Sequence, residues 1–159
     1  MRKKIKTICM TSILLITMLV ITTTVSANGN GGDGGDDGGL TPGFWKNHLG
    51  AWVDFEDDDE LDDPFNFPAE LADFREITLL EALRFHGGKG VEGAARILLR
   101  AAVAGLLNYE SLSTGNPEFE YPMTYYEIVS QVNSALASGD RDTMLDLKDI
   151  IDDYNNLGL

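Results

Sequence analysis

The stretch from Val91 to Asn108 constrains the fold most. Between Ile97 and Leu107 only Arg100 and Gly105 interrupt its apolar residues. A bilayer core takes about 20 apolar residues in a row. This run is shorter and polar at both ends. A helix that is apolar on nearly all sides belongs inside a protein. The rest of the domain is therefore expected to pack around a central helix.

The neighbours of that helix announce themselves at their ends. Thr41-Pro42 is a helix start, with Thr as N-cap and Pro at the first helical position. Phe44, Trp45, His48 and Trp52 follow at helical spacing and predict a short aromatic helix. Pro64 and Pro68 keep the next stretch irregular, with Pro68 opening a helix through Phe74. Thr78 and Glu81 make a capping box, starting a helix that ends at Gly87-Gly88. Thr124 and Glu127 make a second one, with a stripe of Tyr125, Val129, Val132 and Leu136 and a stop at Gly139. Asp140 caps a last helix, striped by Met144, Leu147, Ile151 and Tyr154 and closed by Gly158. No segment sustains a period of two. The expected fold is all-α, a compact bundle of about five helices around the helix at about 91–108.

The beginning of the chain sets its expected location. Arg2, Lys3, Lys4 and Lys6 precede an apolar run from Ile8 to about Ile21, and Val25-Ser26-Ala27 follows. This is the layout of a secretory signal peptide cleaved before Asn28. A retained anchor is the alternative. Residues 28–39 (NGNGGDGGDDGG) are a Gly/Asp-rich flexible linker. One imperfect G-G-x-G-x-D match within them cannot stack into a calcium-binding β-helix. The expected organisation is a signal peptide at 1–27, the linker at 28–39 and a single helical domain at 40–159.

Charge narrows the partners. Residues 28–159 hold eight basic side chains against 26 acidic ones, a net of −18. Such a field excludes nucleic acid and anionic lipid as general partners. The one cysteine, Cys9, lies in the signal peptide, so the mature chain has no disulfide. Its stability must come from a packed core. No second long apolar segment appears, so no membrane span is expected after cleavage.

Few residues point to chemistry. The histidines, His48 and His86, sit far apart in sequence, and a zinc site built on both would need carboxylates from distant segments. His48 lies in the aromatic cluster, and His86 at a helix end. G-x-S-x-G, H-E-x-x-H and phosphate-loop motifs are absent. The metal candidate is the acidic run Asp54 to Asp63, with Asp54, Glu56, Asp57, Asp58 and Asp59 as ligands. It fails the EF-hand pattern, because Asp59 stands where Gly is needed and Phe65 where Glu is needed. Weak calcium binding that relieves repulsion remains open, beside a solvated loop. Beyond that ion no cofactor is expected. Arg96 and Arg100, four apart on the buried helix, are expected to pair with acids that close over the core.

Thr41-Pro42-Gly43-Phe44-Trp45-Lys46-Asn47-His48 resembles the T-P-G-[FY]-W-K-N-H domain of secreted bacterial and archaeal proteins, a group without an established activity. Further segments are similar to it: Leu99 to Asn108, Tyr121-Pro122, Val132 to Asp140 and the Asn-x-Leu-Gly at 155–158. The resemblance implies an exported surface or extracellular module and names no enzyme class. Within the octapeptide, Pro42-Gly43 allows a tight turn, and Asn47 and His48 can satisfy nearby backbone groups. A fold-anchoring role and a ligand-contacting role are both open for Phe44, Trp45, Asn47, His48 and Trp52.

Three functions fit. The first is an exported, non-catalytic helical module that acts by binding an extracellular or cell-envelope partner, or by structural assembly. The second is a secreted hydrolase using His48 or His86 with a carboxylate. The third is a calcium-dependent structural module.

Overall fold

A helix flanked on every side by small and apolar residues can be packed from every side, and α3 (Gly90–Asn108) is used that way. Every residue from Ala101 to Asn108 is buried. The computed structural model describes residues 40–113 and 121–157, all within one unit of the chain. The segments expected as a signal peptide (1–27) and a linker (28–39), and Gly158, expected to close α5, lie outside them.

Among the described residues there are five α-helices: α1 (Pro42–Trp45), α2 (Leu79–Ala82), α3, α4 (Tyr125–Ser138) and α5 (Arg141–Asn155). Leu49–Ala51 and Ala69–Phe74 are 3-10 turns, and Tyr109–Ser113 continues α3 as a π-helical turn. No strand occurs among them; Glu60 and Thr78 form an isolated bridge. The protein is all-α, as the sequence implied. The helix α5 lies most extensively along α3, and α4, α1 and α2 also pack on it. Among the described residues no helix is long and apolar enough to cross a membrane.

The helix ends follow the expected chemistry. Thr124 and Glu127 satisfy each other's backbone N–H groups, as do Thr78 and Glu81. Asp140 Oδ2 accepts from the Thr143 N–H at 2.8 Å, and Gly139 ends α4 at φ 63°. The α5 stripe is buried at Met144, Leu147 and Ile151. On α4 the buried face centres on Ile128, Val132, Ala135 and Leu136, while Tyr125 and Val129 flank it half-buried.

Three elements are shorter than their sequence signals. The aromatic helix stops after one turn, and Trp52 stands in extended backbone beyond a 3-10 turn. Asn47 and His48 cause the stop by bonding back to the Gly43 and Phe44 carbonyls. The helix expected from Thr78 to Gly87 ends at Ala82, because 3-10 bonds from Arg84 and Phe85 tighten the chain so that it can turn back into α3. The segment after Pro68 is a 3-10 turn broken at Leu71, not an α-helix.

The two arginines of α3 meet their expectation only in part, since Arg96 pairs with an acid on the surface and Arg100 with none. Arg96 is exposed, pairs with Glu92 at 2.6 Å and lies 5.8 Å over the Phe85 ring. Arg100 bonds the Phe85 carbonyl rather than an acid.

Candidate functional site

The octapeptide divides into an inner and an outer part. Thr41 caps α1 weakly, its hydroxyl 3.4 Å from the Phe44 N–H. One turn later the helix delivers Trp45 into the core, where it is 1% exposed. An indole N–H brought inside needs an acceptor. It finds Asn108 Oδ1 at 2.9 Å, at the end of α3.

That contact opens a buried amide network. Asn108 Nδ2 donates to the Leu40 carbonyl at 3.0 Å and to Asn155 Oδ1 at 2.8 Å. Asn155 Oδ1 also accepts from the Tyr121 hydroxyl at 2.8 Å, and Asn155 Nδ2 donates to the Ala101 carbonyl at 3.0 Å. Asn108 and Asn155 are the buried polar residues of the described core. Burial, and then the charges of Asp152 and Tyr154, push the Tyr121 phenol well above its ordinary pKa, so it stays a neutral donor. Gly105 leaves room for that hydroxyl: a Cβ there would lie 3.0 Å from it. Nothing in this cluster is free to react, and its polar atoms are spent on holding four segments together.

The outer part faces solvent. Asn47 Nδ2 donates to the Gly43 carbonyl at 2.9 Å. His48 Nδ1 lies 2.8 Å from the Phe44 carbonyl. A carbonyl only accepts, so Nδ1 carries the proton there. The Phe44 and His48 rings stack at 4.1 Å and 11°. Trp52 is half-buried and donates its indole N–H to the Trp45 carbonyl at 3.0 Å. Leu49 and Val53 beside it are 42% and 43% exposed. Of the expected contact residues, Trp45 is therefore interior, Phe44 and Trp52 form a half-buried base, and Asn47 and His48 stand exposed on it.

The acidic loop is tied down through its backbone. The Glu56 N–H donates to Asp59 Oδ2 at 2.8 Å, and the Asp59 N–H returns to the Glu56 carbonyl at 3.2 Å. The Asp59 carbonyl takes the Leu79 N–H at 2.8 Å, and the Leu61 N–H goes to the Ile77 carbonyl at 2.8 Å. Leu61 is fully buried and anchors the loop. Asp54 adopts a left-handed φ of 62°. Its charge adds to burial in raising the Glu110 pKa, with burial the larger cause. Among the described residues no three His, Cys, Asp or Glu stand grouped as a metal site needs. His86 is exposed, four residues past the end of α2.

Sequence reasoning missed Asn108, Tyr121 and Asn155. A signal for two of them exists: Asn155 follows Ile151 by four residues on the buried stripe, and Asn108 ends the apolar run. A polar residue at a core position of a helix should have raised the question of its partners.

No family model, curated protein or solved structure matches this chain. The fold and the network define an all-α domain whose opening segment is pinned from within by buried amides.

Proposed function

We propose that residues 40–159 form a non-catalytic module of an exported protein, which acts by binding an extracellular or cell-envelope partner. The observation that carries this reading is the rim at residues 44–53. Leu49 and Val53 are 42% and 43% exposed in the segment that follows the stacked Phe44–His48 pair. Exposed apolar side chains on a strongly acidic surface are the natural place for a partner to dock. The buried Trp45 and its network give the rim a rigid base, which lowers the ordering cost of binding.

The resemblance to secreted T-P-G-[FY]-W-K-N-H proteins supports the same reading. Four of the segments that carry it supply Trp45, Asn108, Tyr121 and Asn155, which meet in one network. The basic and apolar opening of the chain supports export. Intact mass of exported protein is expected to begin at Asn28, and a mass that retains residues 1–27 would overturn the localisation. The binding role is tested with a photo-crosslinking residue at Leu49, Val53 or the exposed Ala137 in producing cells. Adducts are expected at Leu49 and Val53 and not at Ala137. Equal adducts at all three positions, or none at any, would reject the rim.

A further inference from the structure

We propose that the cleft between α1, α3 and α5 binds a small carboxylate, with Lys46 and Arg100 as its counter-charges. This site is distinct from the outer rim and does not depend on it. The cleft has a volume of about 290 Å³ and is lined by Gly43 and Lys46 from the octapeptide, Arg100 from α3, and Asp152 and Asn156 from the end of α5.

Cations are scarce in this protein. Eight cations share the mature chain with 26 acids, so each has carboxylates to spare. Arg96 pairs with Glu92, Arg141 with Asp142, and Lys148 with Asp149 and Asp152. Among the described residues Lys46, Arg75, Arg84, Lys89 and Arg100 have no carboxylate within ion-pair distance, and of these Lys46 and Arg100 line the same cleft.

Arg100 adds a second observation. Its Nη1 donates to the Phe85 carbonyl at 3.2 Å, which fixes the guanidinium. Its Nε is buried and has no hydrogen-bond partner. Buried donors are almost always satisfied, and an orphan calls for a reason. Nε is shielded from solvent and Nη1 is engaged, so Nη2 is the donor left for an oxygen of a carboxylate in the cleft. Lys46 supplies a second positive charge at the mouth, where it is exposed. Asp152, 3.1 Å from Lys148 Nζ, shares that ammonium with Asp149 and so keeps negative charge in the cleft, where the two cations still outnumber it. Its nearness does disfavour multiply charged anions, which is why the cleft fits a single carboxylate better than a phosphate. The carboxylate can belong to a free small acid or to the end of a peptide.

The test is an NMR titration of the purified chain with sodium acetate, N-acetylalanine and inorganic phosphate, against sodium chloride at equal ionic strength. A molecule of net −18 repels anions generally, so a saturable response needs a local site. Saturable shifts are expected at the Gly43 and Lys46 amides with acetate or N-acetylalanine. Tighter binding of the first points to a free acid, and of the second to a peptide end. Lys46→Gln and Arg100→Lys should each weaken binding about tenfold, while Lys89→Gln leaves it unchanged. Lys46 is a surface residue, so its variant keeps the test valid if Arg100→Lys folds poorly. Shifts that chloride reproduces, phosphate binding tighter than both carboxylates, or insensitivity to Lys46→Gln would each overturn the proposal.

Discussion

Replacing Asn108 by alanine would strand the Trp45 indole N–H and the Leu40 carbonyl, and remove one donor from Asn155. A buried donor or acceptor left unsatisfied costs roughly 1–3 kcal/mol. Asn108→Ala is expected to lower stability by at least that range, read as a fall in the urea midpoint. Trp45→Ala removes the indole itself and should cost about 3–5 kcal/mol, the range for a buried large aromatic. Because the two residues share one bond, the double variant should lose less than the sum of the singles. An unchanged midpoint for Trp45→Ala would contradict its interior position. A capped helix start followed by an aromatic left Trp45 open between a packed anchor and a ligand contact, and its burial places it inside. The network was not legible. Its members lie 63, 47 and 34 residues apart along the chain, and periodicity says which face is buried, never which distant polar atom waits there.

At the level of elements, local chemistry decides how helices start, and tertiary contact decides where some of them stop. Gly93 in the first turns of α3 shows the second effect. A Cβ there would lie 2.2 Å from the Gly88 carbonyl carbon, because the chain entering α3 runs against its side. Alanine normally gains about 1 kcal/mol over glycine within a helix. Gly93→Ala is nevertheless expected to lower the melting temperature, since the clash is with backbone that cannot rotate away. Helix starts respond to pH instead. Hydrogen bonds from the Thr143 side chain and backbone hold the Asp140 carboxyl below its ordinary pKa, and the Thr124 backbone and side chain do the same for Glu127. A lowered folded-state pKa gives stability that is present above the unfolded value and lost as pH falls through the folded one. Asp140→Ala should therefore destabilise at pH 7, and its difference from the native chain should shrink at pH below the ordinary carboxylate range. A difference that stays constant with pH would deny the carboxylate its capping role. The helices α4 and α5 were legible because a side-chain cap opens a clear stripe, and α3 because of its apolar run, since Lys89 at its start makes no side-chain cap. Both α1 and α2 were read too long. Their ends are set by Asn47, His48 and the turn toward α3, and such contacts leave no period in the sequence.

Over the whole molecule the governing quantity is the net charge of −18 on residues 28–159, with eight acids between Asp54 and Asp63. Self-repulsion of that size weakens the compact state, and salt screens it, since the Debye length falls from about 30 Å at 0.01 M to about 10 Å at 0.1 M. The melting temperature is expected to rise with sodium chloride across that range. Divalent ions separate screening from a site. A calcium loop offers backbone carbonyls as ligands alongside carboxylates. Here the Asp59 carbonyl already accepts from Leu79, and the Asp57 carbonyl faces the Leu80 N–H at 3.4 Å. The loop is thus fastened to the start of α2 by the groups a calcium ion would want. Millimolar Ca²⁺ and Mg²⁺ at equal ionic strength should consequently raise the melting temperature alike. Replacing Asp57, Asp58 and Asp59 together by Asn should raise it in low salt without any ion, because three repelling charges are gone. A larger rise with Ca²⁺ than with Mg²⁺ that vanishes in the triple variant would instead establish a calcium site, and would require the loop to release its hold on α2 when the ion binds.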